Sequence, residues 1–409
     1  MTGKQAATKV VRHLRGGGYN ALFAGGCVRD MLLARPANDF DVATDAQPKD
    51  VMRLFTKTLK VGAKFGVVIV LLQGKQVEVA TFRTESGYID GRHPTQVSYV
   101  GPAEDARRRD FTINGMFYDP IEKKVIDFVD GRTDLEKRII RTIGIPEHRF
   151  AEDYLRMLRA VRFSTQLGFA VEEKTKAAIC SNAQKIKAIS AERIAAELEE
   201  ILVDPNRAAG ASMFLDTGLA DAVFGDLTNE QSRFTLKVLA QIRRRVDFPL
   251  ALASFFAGYP PEFALDKIRL LKLSRNQIRH VKFLLNNHDR LLEEDPSVGR
   301  LRMLLAEPYF WDLYEFQRAI QKAIDPSRRA LAPLIRLRRR IRQLGDIELR
   351  PKPLLNGYDL IRLGAAPGPT LGRLAEEMYI AQLEGALRTA EQAEKWVLKW
   401  LQKHRTSAK

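Results

Sequence analysis

Leu22-Phe-Ala-Gly-Gly-Cys-Val-Arg-Asp-Met-Leu-Leu33, followed by Asn38-Asp-Phe-Asp-Val-Ala-Thr44, decides how the chain is read. Leu22 to Ala24 are apolar and suit a buried strand, and Gly25 and Gly26 interrupt them where a strand gives way to a helix. A glycine pair lets a phosphate approach the backbone closely, and the helix that follows offers unpaired N–H groups and its positive dipole end. Arg29 adds a charged fork nearby. In an extended strand residues i and i+2 share a face, so Asp39 and Asp41 stand side by side with Phe40 and Val42 packed behind. Paired carboxylates are oxygen ligands of the kind Mg²⁺ takes, and phosphoryl transfer needs such ions to neutralise phosphates. The stretch reads as nucleotide chemistry.

The rest of the composition agrees. The chain has 409 residues, enough for two to four domains, and 45% are hydrophobic, enough to bury a core. Its formal charge of +16 and pI near 9.8 point to a polyanionic partner. No uninterrupted apolar run of about 18 residues suggests a membrane span, and no helix with one basic face suggests a membrane surface. The opening Met-Thr-Gly-Lys-Gln-Ala-Ala resembles neither a signal nor a transit peptide, so a cytoplasmic location is expected. Cys27 and Cys180 form no disulfide framework, and six scattered histidines suggest no metal site.

Working outward, residues 3–17 read as a helix stopped by Gly16-Gly17-Gly18, with further short helices at Val28–Leu33 and Pro48–Phe55. Val67–Leu72 and Gln76–Phe82 read as strands around a turn at Gly74-Lys75. Alternation puts Val77 and Val79 on one face and Glu78 on the other. If this strand lies beside Asp39–Val42, Glu78 joins the carboxylate pair; a solvated glutamate on an open face fits the pattern equally well. Residues 84–96 read as a long polar connection, a length usually functional, and Val97–Val100 as a short strand. Arg107–Met116 reads as a charged start continuing into a buried helix, its arginines either a solvated cap or a grip on a triphosphate. Phe117–Pro120 and Val125–Val129 read as a hairpin. From Arg149 onward helices dominate, and no fixed-period repeat is present.

Taken together, Gly25-Gly26-Cys-Val-Arg29-Asp30, Asp39-x-Asp41, Arg108-Arg109-Asp110, Asp130-Gly-Arg-x-Asp-Leu-x-x-Arg-x-Ile-Arg141-Thr, Glu152-Asp153-x-x-Arg156 and Ile189-Ser-x-Glu-Arg193-Ile resemble the class II tRNA nucleotidyltransferases, or CCA-adding enzymes, which share their head with bacterial poly(A) polymerases. The resemblance covers residues 20–205 and returns in Asn356-Gly-Tyr-Asp-Leu-Ile and Pro367-Gly-Pro-Thr-Leu-Gly. It implies an α+β nucleotidyltransferase head with a small mixed sheet (1–140), then an all-α neck (141–205), body (206–345) and tail (346–409). It implies Mg²⁺ at Asp39 and Asp41 in a two-metal site, with Glu78 as the third catalytic carboxylate. Gly25, Gly26 and Arg29 resemble the triphosphate-binding element, and Arg108, Arg109 and Asp110 the motif that selects a ribose. The substrates implied are CTP, ATP and the 3′ end of tRNA.

Glu152-Asp153-Tyr-Leu-Arg156 explains base choice without a template. Read on one helix, Asp153 and Arg156 are neighbours on a face, the first an acceptor only and the second a donor only. Cytosine and adenine each offer an amino donor beside a ring-nitrogen acceptor; uracil and guanine present the reverse, leaving unpaired groups that cost about 1–3 kcal/mol each. Acid–arginine pairs at this spacing are common on solvated faces, but the motif's place after the head and the following Arg159 and Arg162, which the family shares, favour nucleotide binding. Arg243, Arg244, Arg338, Arg339 and Arg340 are candidate RNA contacts, although basic runs are more often solvated faces. An A-only enzyme, a poly(A) polymerase and a catalytically silent RNA-binding protein are the alternatives; the intact Asp39, Asp41 and Arg156 count against the last. The loop around Tyr88-x-Asp-Gly-Arg92-His-Pro is similar to one that CC-only enzymes shorten. His288-Asp289 has no partner ligands for a phosphohydrolase.

Overall fold

The computed structural model describes residues 1–37, 39–60, 66–88, 94–292, 296–327, 329–345 and 347–405. The chain forms two compact units, Met1–Ser232 with Asp266–Leu273, and Arg233–Leu265 with Ser274–Lys409.

The first unit begins with α1 (Gly3–Gly16), started by a capping box between Thr2 and Gln5. Ala6, Ala7, Val10, Val11 and Leu14 form its buried stripe. A seven-stranded sheet follows, built from β1 (Ala21–Ala24), β2 (Asp41–Thr44), β3 (Thr58–Leu59), β4 (Val67–Leu72), β5 (Lys75–Thr81), β8 (Phe117–Asp119) and β9 (Lys124–Ile126) in the order β3-β4-β5-β2-β1-β8-β9. Strand β1 is buried throughout because it lies between β2 and β8 and carries no polar side chain. All pairs are antiparallel except β2 with β5, whose register is Val42↔Val79. The turn joining β4 to β5 is Gln73-Gly74, one residue earlier than expected, with φ of 48° and 76°. Two consecutive positive φ values suit the tight turn that matches strand twist.

Two expectations are corrected here. Residues 84–96 do not run as a plain connection: β6 (Arg83–Tyr88) and β7 (Pro94–Tyr99) pair antiparallel. Threonines, tyrosines and Val97 along them favour extended backbone. Residues 89–93, and so most of the loop around Arg92, lie outside the described residues, as do residues 61–65. Nor does Arg107–Met116 continue as a helix. Helix α4 (Pro102–Arg107) stops, and only a single 3₁₀ turn, Thr112–Asn114, follows. Asp110, Thr112 and Asn114 bond distant or neighbouring partners instead of a helical ladder.

Beyond the sheet come α2 (Gly26–Leu32) and α3 (Pro48–Leu54) from its early part, then α5 (Gly131–Lys137), α6 (Pro146–Glu152), α7 (Leu155–Leu167), α8 (Glu173–Asn182) and α9 (Ala191–Leu202). The helical stretch after Arg149 is interrupted by one short strand, β11 (Ala170–Val171), which pairs parallel with β10 (Ile139–Ile140). Helix α7 packs its apolar side on α9. The second unit is helical among its described residues. Phe248–Phe255 is buried along its whole length, and Leu360, Leu374, Met378, Ala393, Val397 and Trp400 form a core near the C-terminus. No helix among the described residues is long and apolar enough to cross a membrane.

Candidate active site

A cavity of about 490 Å³ opens in the first unit where β1 ends, between Gly25 and Gly26, Asp41, the Arg108–Asp110 segment, α7 and Arg193. Six arginines and three aspartates line it, so it holds an excess of positive charge and suits a polyanion. Gly25 sits at φ 74°, and a Cβ there would meet Arg109 Nη1 at 3.1 Å. Only glycine combines that backbone with so close a guanidinium.

Asp41 opens β2 and is partly buried. The Val42↔Val79 register places Glu78 across from it on β5. Burial first, then the charges of Glu78 and, more weakly, Asp39 push the Asp41 carboxyl up to about 6, against the pull of Arg109. The sequence reading placed Asp39 inside the strand; the strand begins at Asp41, and Asp39 precedes it, exposed. The concentration of negative charge around Asp41 is the condition a divalent cation relieves, and the oxygen donors fit a hard ion such as Mg²⁺. Cys27, buried and hydrogen-bonded to the Ala24 carbonyl, has its thiol pushed up to about 11 by burial and Asp41, so it is not a nucleophile.

The arginines on the opposite wall are each held by a carboxylate. Arg108 and Arg109 both pair with Asp105, at 2.7 and 3.0 Å. Burial opposes ionisation there, but the two guanidiniums hold Asp105 below the usual carboxylate range. The signal for Asp105 in the sequence is its i+3 and i+4 spacing to Arg108 and Arg109, just past the end of α4. Asp110 is buried and accepts from Arg159 at 2.6 and 2.9 Å; Arg159 overcomes the burial and brings its carboxyl down to about 2. Arg29 pairs with Asp30 at 2.9 Å and reaches Asn114.

Asp153 and Arg156 both line the cavity, but not from one continuous helix. Helix α6 ends at Glu152, Asp153 is extended at φ −157°, and α7 starts at Leu155. A short polar side chain at that break prefers to bond the next backbone N–H, here Leu155 at 3.0 Å, to continuing the helix. The other Asp153 oxygen accepts from Arg193 at 2.6 Å, while Arg156 pairs with Glu152, which also receives Arg149 at 2.9 Å. Arg162 points to Glu197 at 3.1 Å and is not on the cavity wall; nor are Asp39, Glu78 and Glu152. Asn114, Phe163 and Arg193 are on the wall without having been chosen as site residues from sequence.

In the second unit Arg243, Arg338 and Arg339, with Arg318, Arg342 and Tyr314, line a cavity of about 560 Å³. Arg243 pairs with Glu315 at 2.9 Å, Arg244 is exposed, and Arg340 donates to the Pro296 carbonyl at 2.7 Å. The scattered histidines include one that is not isolated: His280, buried and stacked on Tyr309, lies 3.5 Å from Asp247 and 3.1 Å from Asp312.

Comparison with known proteins places this geometry. Residues 21–141 match the family model of the poly A polymerase head domain, and residues 168–230 that of the probable RNA and SrmB-binding site of polymerase A. The CCA-adding enzyme of Lactobacillus johnsonii is 36% identical over 398 residues, 95% of each chain. That of Geobacillus kaustophilus is 46% identical over 216 residues, 53% of each chain. The crystal structure of Bacillus stearothermophilus CCA-adding enzyme in complex with CTP superimposes with a TM-score of 0.79 at 30% identity, covering 98% of both chains. An arginine-lined cavity beside a strand-borne aspartate, on a chain 36% identical to the Lactobacillus johnsonii enzyme over 95% of each, makes this protein a member of the CCA-adding enzyme family of nucleotidyltransferases.

Proposed function

We propose that the chain adds C, C and then A to the 3′ end of tRNA, taking CTP and ATP and releasing pyrophosphate. The observation that carries this is the single cavity bringing Asp41, six arginines and the Asp153–Arg156 pair together. Asp39 and Asp41 would hold Mg²⁺, with Glu78 adding charge from the next strand. When bound there, the ions supply activation of the RNA 3′-hydroxyl and neutralisation of the pyrophosphate. Gly25, Gly26, Arg29 and Arg109 hold the triphosphate. Arg108 and Asp110, the latter kept ionised by Arg159, face the ribose. Asp153 accepts from the amino group of cytosine or adenine and Arg156 donates to the adjacent ring nitrogen, while Arg193 and Glu152 fix their orientations. Arg162 supports this wall through Glu197. Head, neck, body and tail at 1–140, 141–205, 206–345 and 346–409 divide the work, with Arg243, Arg244, Arg338, Arg339 and Arg340 contacting tRNA phosphates. A cytoplasmic location follows from that substrate.

Because one matched model is that of poly A polymerase heads, A-only addition and polyadenylation are the second reading. Three tRNA transcripts, ending before CCA, after C and after CC, separate them when each NTP is supplied singly and together. Addition of C, C and A and then arrest is expected. Activity on the CC-ended transcript alone would make it an A-adding enzyme, and long A tails on an unrelated RNA a polymerase. Asp41→Ala is expected to abolish addition while tRNA binding survives; a variant that still adds nucleotides would refute the metal assignment.

A further inference from the structure

Two arms of the cavity meet at one amide. Asn114 Oδ1 accepts from Arg29 Nη1 at 2.8 Å, and Asn114 Nδ2 donates to Asp110 Oδ1 at 3.3 Å. The second Asp110 oxygen accepts both Arg159 nitrogens. The circuit closes through Phe163, whose ring centroid lies 5.3 Å from the guanidinium carbons of Arg29 and of Arg159. Asn114 is 7% exposed, so water cannot replace these partners cheaply. An arginine only donates and an ionised aspartate only accepts; a side chain joining them must accept at one end and donate at the other. Asparagine does this at the length the gap requires. Leucine would break the link, leaving Arg29 to Asp30 and Asp110 to Arg159 and the Phe111 N–H, and aspartate would set a second carboxylate against Asp110.

We propose that Asn114 is a positioning residue that couples triphosphate capture at Arg29 to the setting of Asp110 and Arg159 toward the nucleoside. This rests on the reading of Arg29 as a triphosphate contact and Asp110 as a ribose contact. A triphosphate that fixes Arg29 fixes the amide, and the amide presents Asp110 in one orientation. By linkage, preference for a ribose is then stronger when the triphosphate is present, and the coupling runs equally in both directions.

Equilibrium binding of CTP, dCTP, CMP and dCMP to the full chain, with melting temperature as the check on folding, tests this. In the unaltered chain the CTP/dCTP affinity ratio is expected to exceed the CMP/dCMP ratio by about fivefold or more. In Asn114→Leu the two ratios should agree within about twofold. Asn114→Asp, which keeps the acceptor for Arg29 but cannot donate to Asp110, should lose the difference as well, so the test stands if the leucine variant does not fold. Variants that keep the unaltered difference, or that weaken all four ligands by one factor, would overturn the coupling and leave Asn114 a packing residue. Equal ratios in the unaltered chain, with CTP still bound more tightly than CMP, would overturn the coupling alone. CTP and CMP binding equally would overturn the triphosphate reading and the coupling with it.

Discussion

Burying the Asp110 carboxylate removes hydration that the Arg159 fork, at 2.6 and 2.9 Å, restores. Because its carboxyl falls from 3.8 to about 2 on folding, the pair contributes stability above pH 4 that disappears as the pH drops toward 2. A shift of that size corresponds to about 2 kcal/mol. Asp110→Asn, which removes the charge that Arg159 stabilises, should therefore be less stable at pH 7 by about that amount, and the gap should narrow between pH 4 and 2. Urea midpoints across that range measure it, and a gap independent of pH would exclude ionisation as the source. At this scale sequence reading works best where spacing alone fixes a face. Asp41 and Glu78 come together because strand alternation and a β2–β5 pairing suffice. Asn114 stayed hidden: its importance lies in contacts to Arg29, 85 residues away, and to a buried aspartate whose protonation state no local pattern reveals.

Elements explain the one motif whose geometry departs from its spacing. Asp153 and Arg156 were readable as i, i+3 neighbours, yet the break between α6 and α7 turns Asp153 toward Arg193 and leaves Arg156 to Glu152. The period of 3.6 is legible in the sequence, but Asp153 accepts from the Leu155 N–H at the start of the next helix and tertiary partners take the side chains. Both residues still line the cavity, as the proposed base reading requires. Arg156→Ala should reduce selectivity for CTP over UTP by about tenfold, the loss of one hydrogen bond at a buried base edge, before it stops addition. Unchanged selectivity in single-nucleotide assays would sink the assignment. The 3₁₀ turn yields a second prediction. Gly115 caps that turn. In this chain a Cβ there would meet Val129 Cγ2 at 2.6 Å and Ile143 Cδ1 at 3.0 Å. Gly115→Ala should thus destabilise the chain by about 1–3 kcal/mol, as overpacking does. A denaturation midpoint equal to or above that of the unaltered chain would show that Val129 and Ile143 yield without strain.

For the molecule as a whole, the excess of 16 positive charges is shared out unevenly, and that sharing decides what each basic run can do. In the first unit the cavity arginines are matched by Asp30, Asp105, Asp110, Glu152 and Asp153, which fixes their side chains around the cavity. In the second unit one carboxylate, Glu315, receives both Arg243 and Arg318, while exposed Arg338, Arg339 and Arg342 line the same cavity. Composition announces the charge and the polyanion, but only packing separates arginines held by carboxylates from arginines left exposed. Phosphate contacts release counterions, so each one lost should flatten the dependence of log K on log salt by roughly one unit. Replacing Arg338 and Arg339 together by glutamate should weaken tRNA binding at low salt and lower that slope by about two. CTP affinity and melting temperature should remain as in the unaltered chain, because the substituted side chains are exposed. Binding isotherms between low and moderate salt read the slope directly. A slope that does not change would mean that these arginines are a solvated face and that the tRNA is gripped elsewhere. A slope that falls while CTP affinity falls with it would mean that the substitutions disturb the nucleotide site, and the phosphate assignment would fail for a different reason.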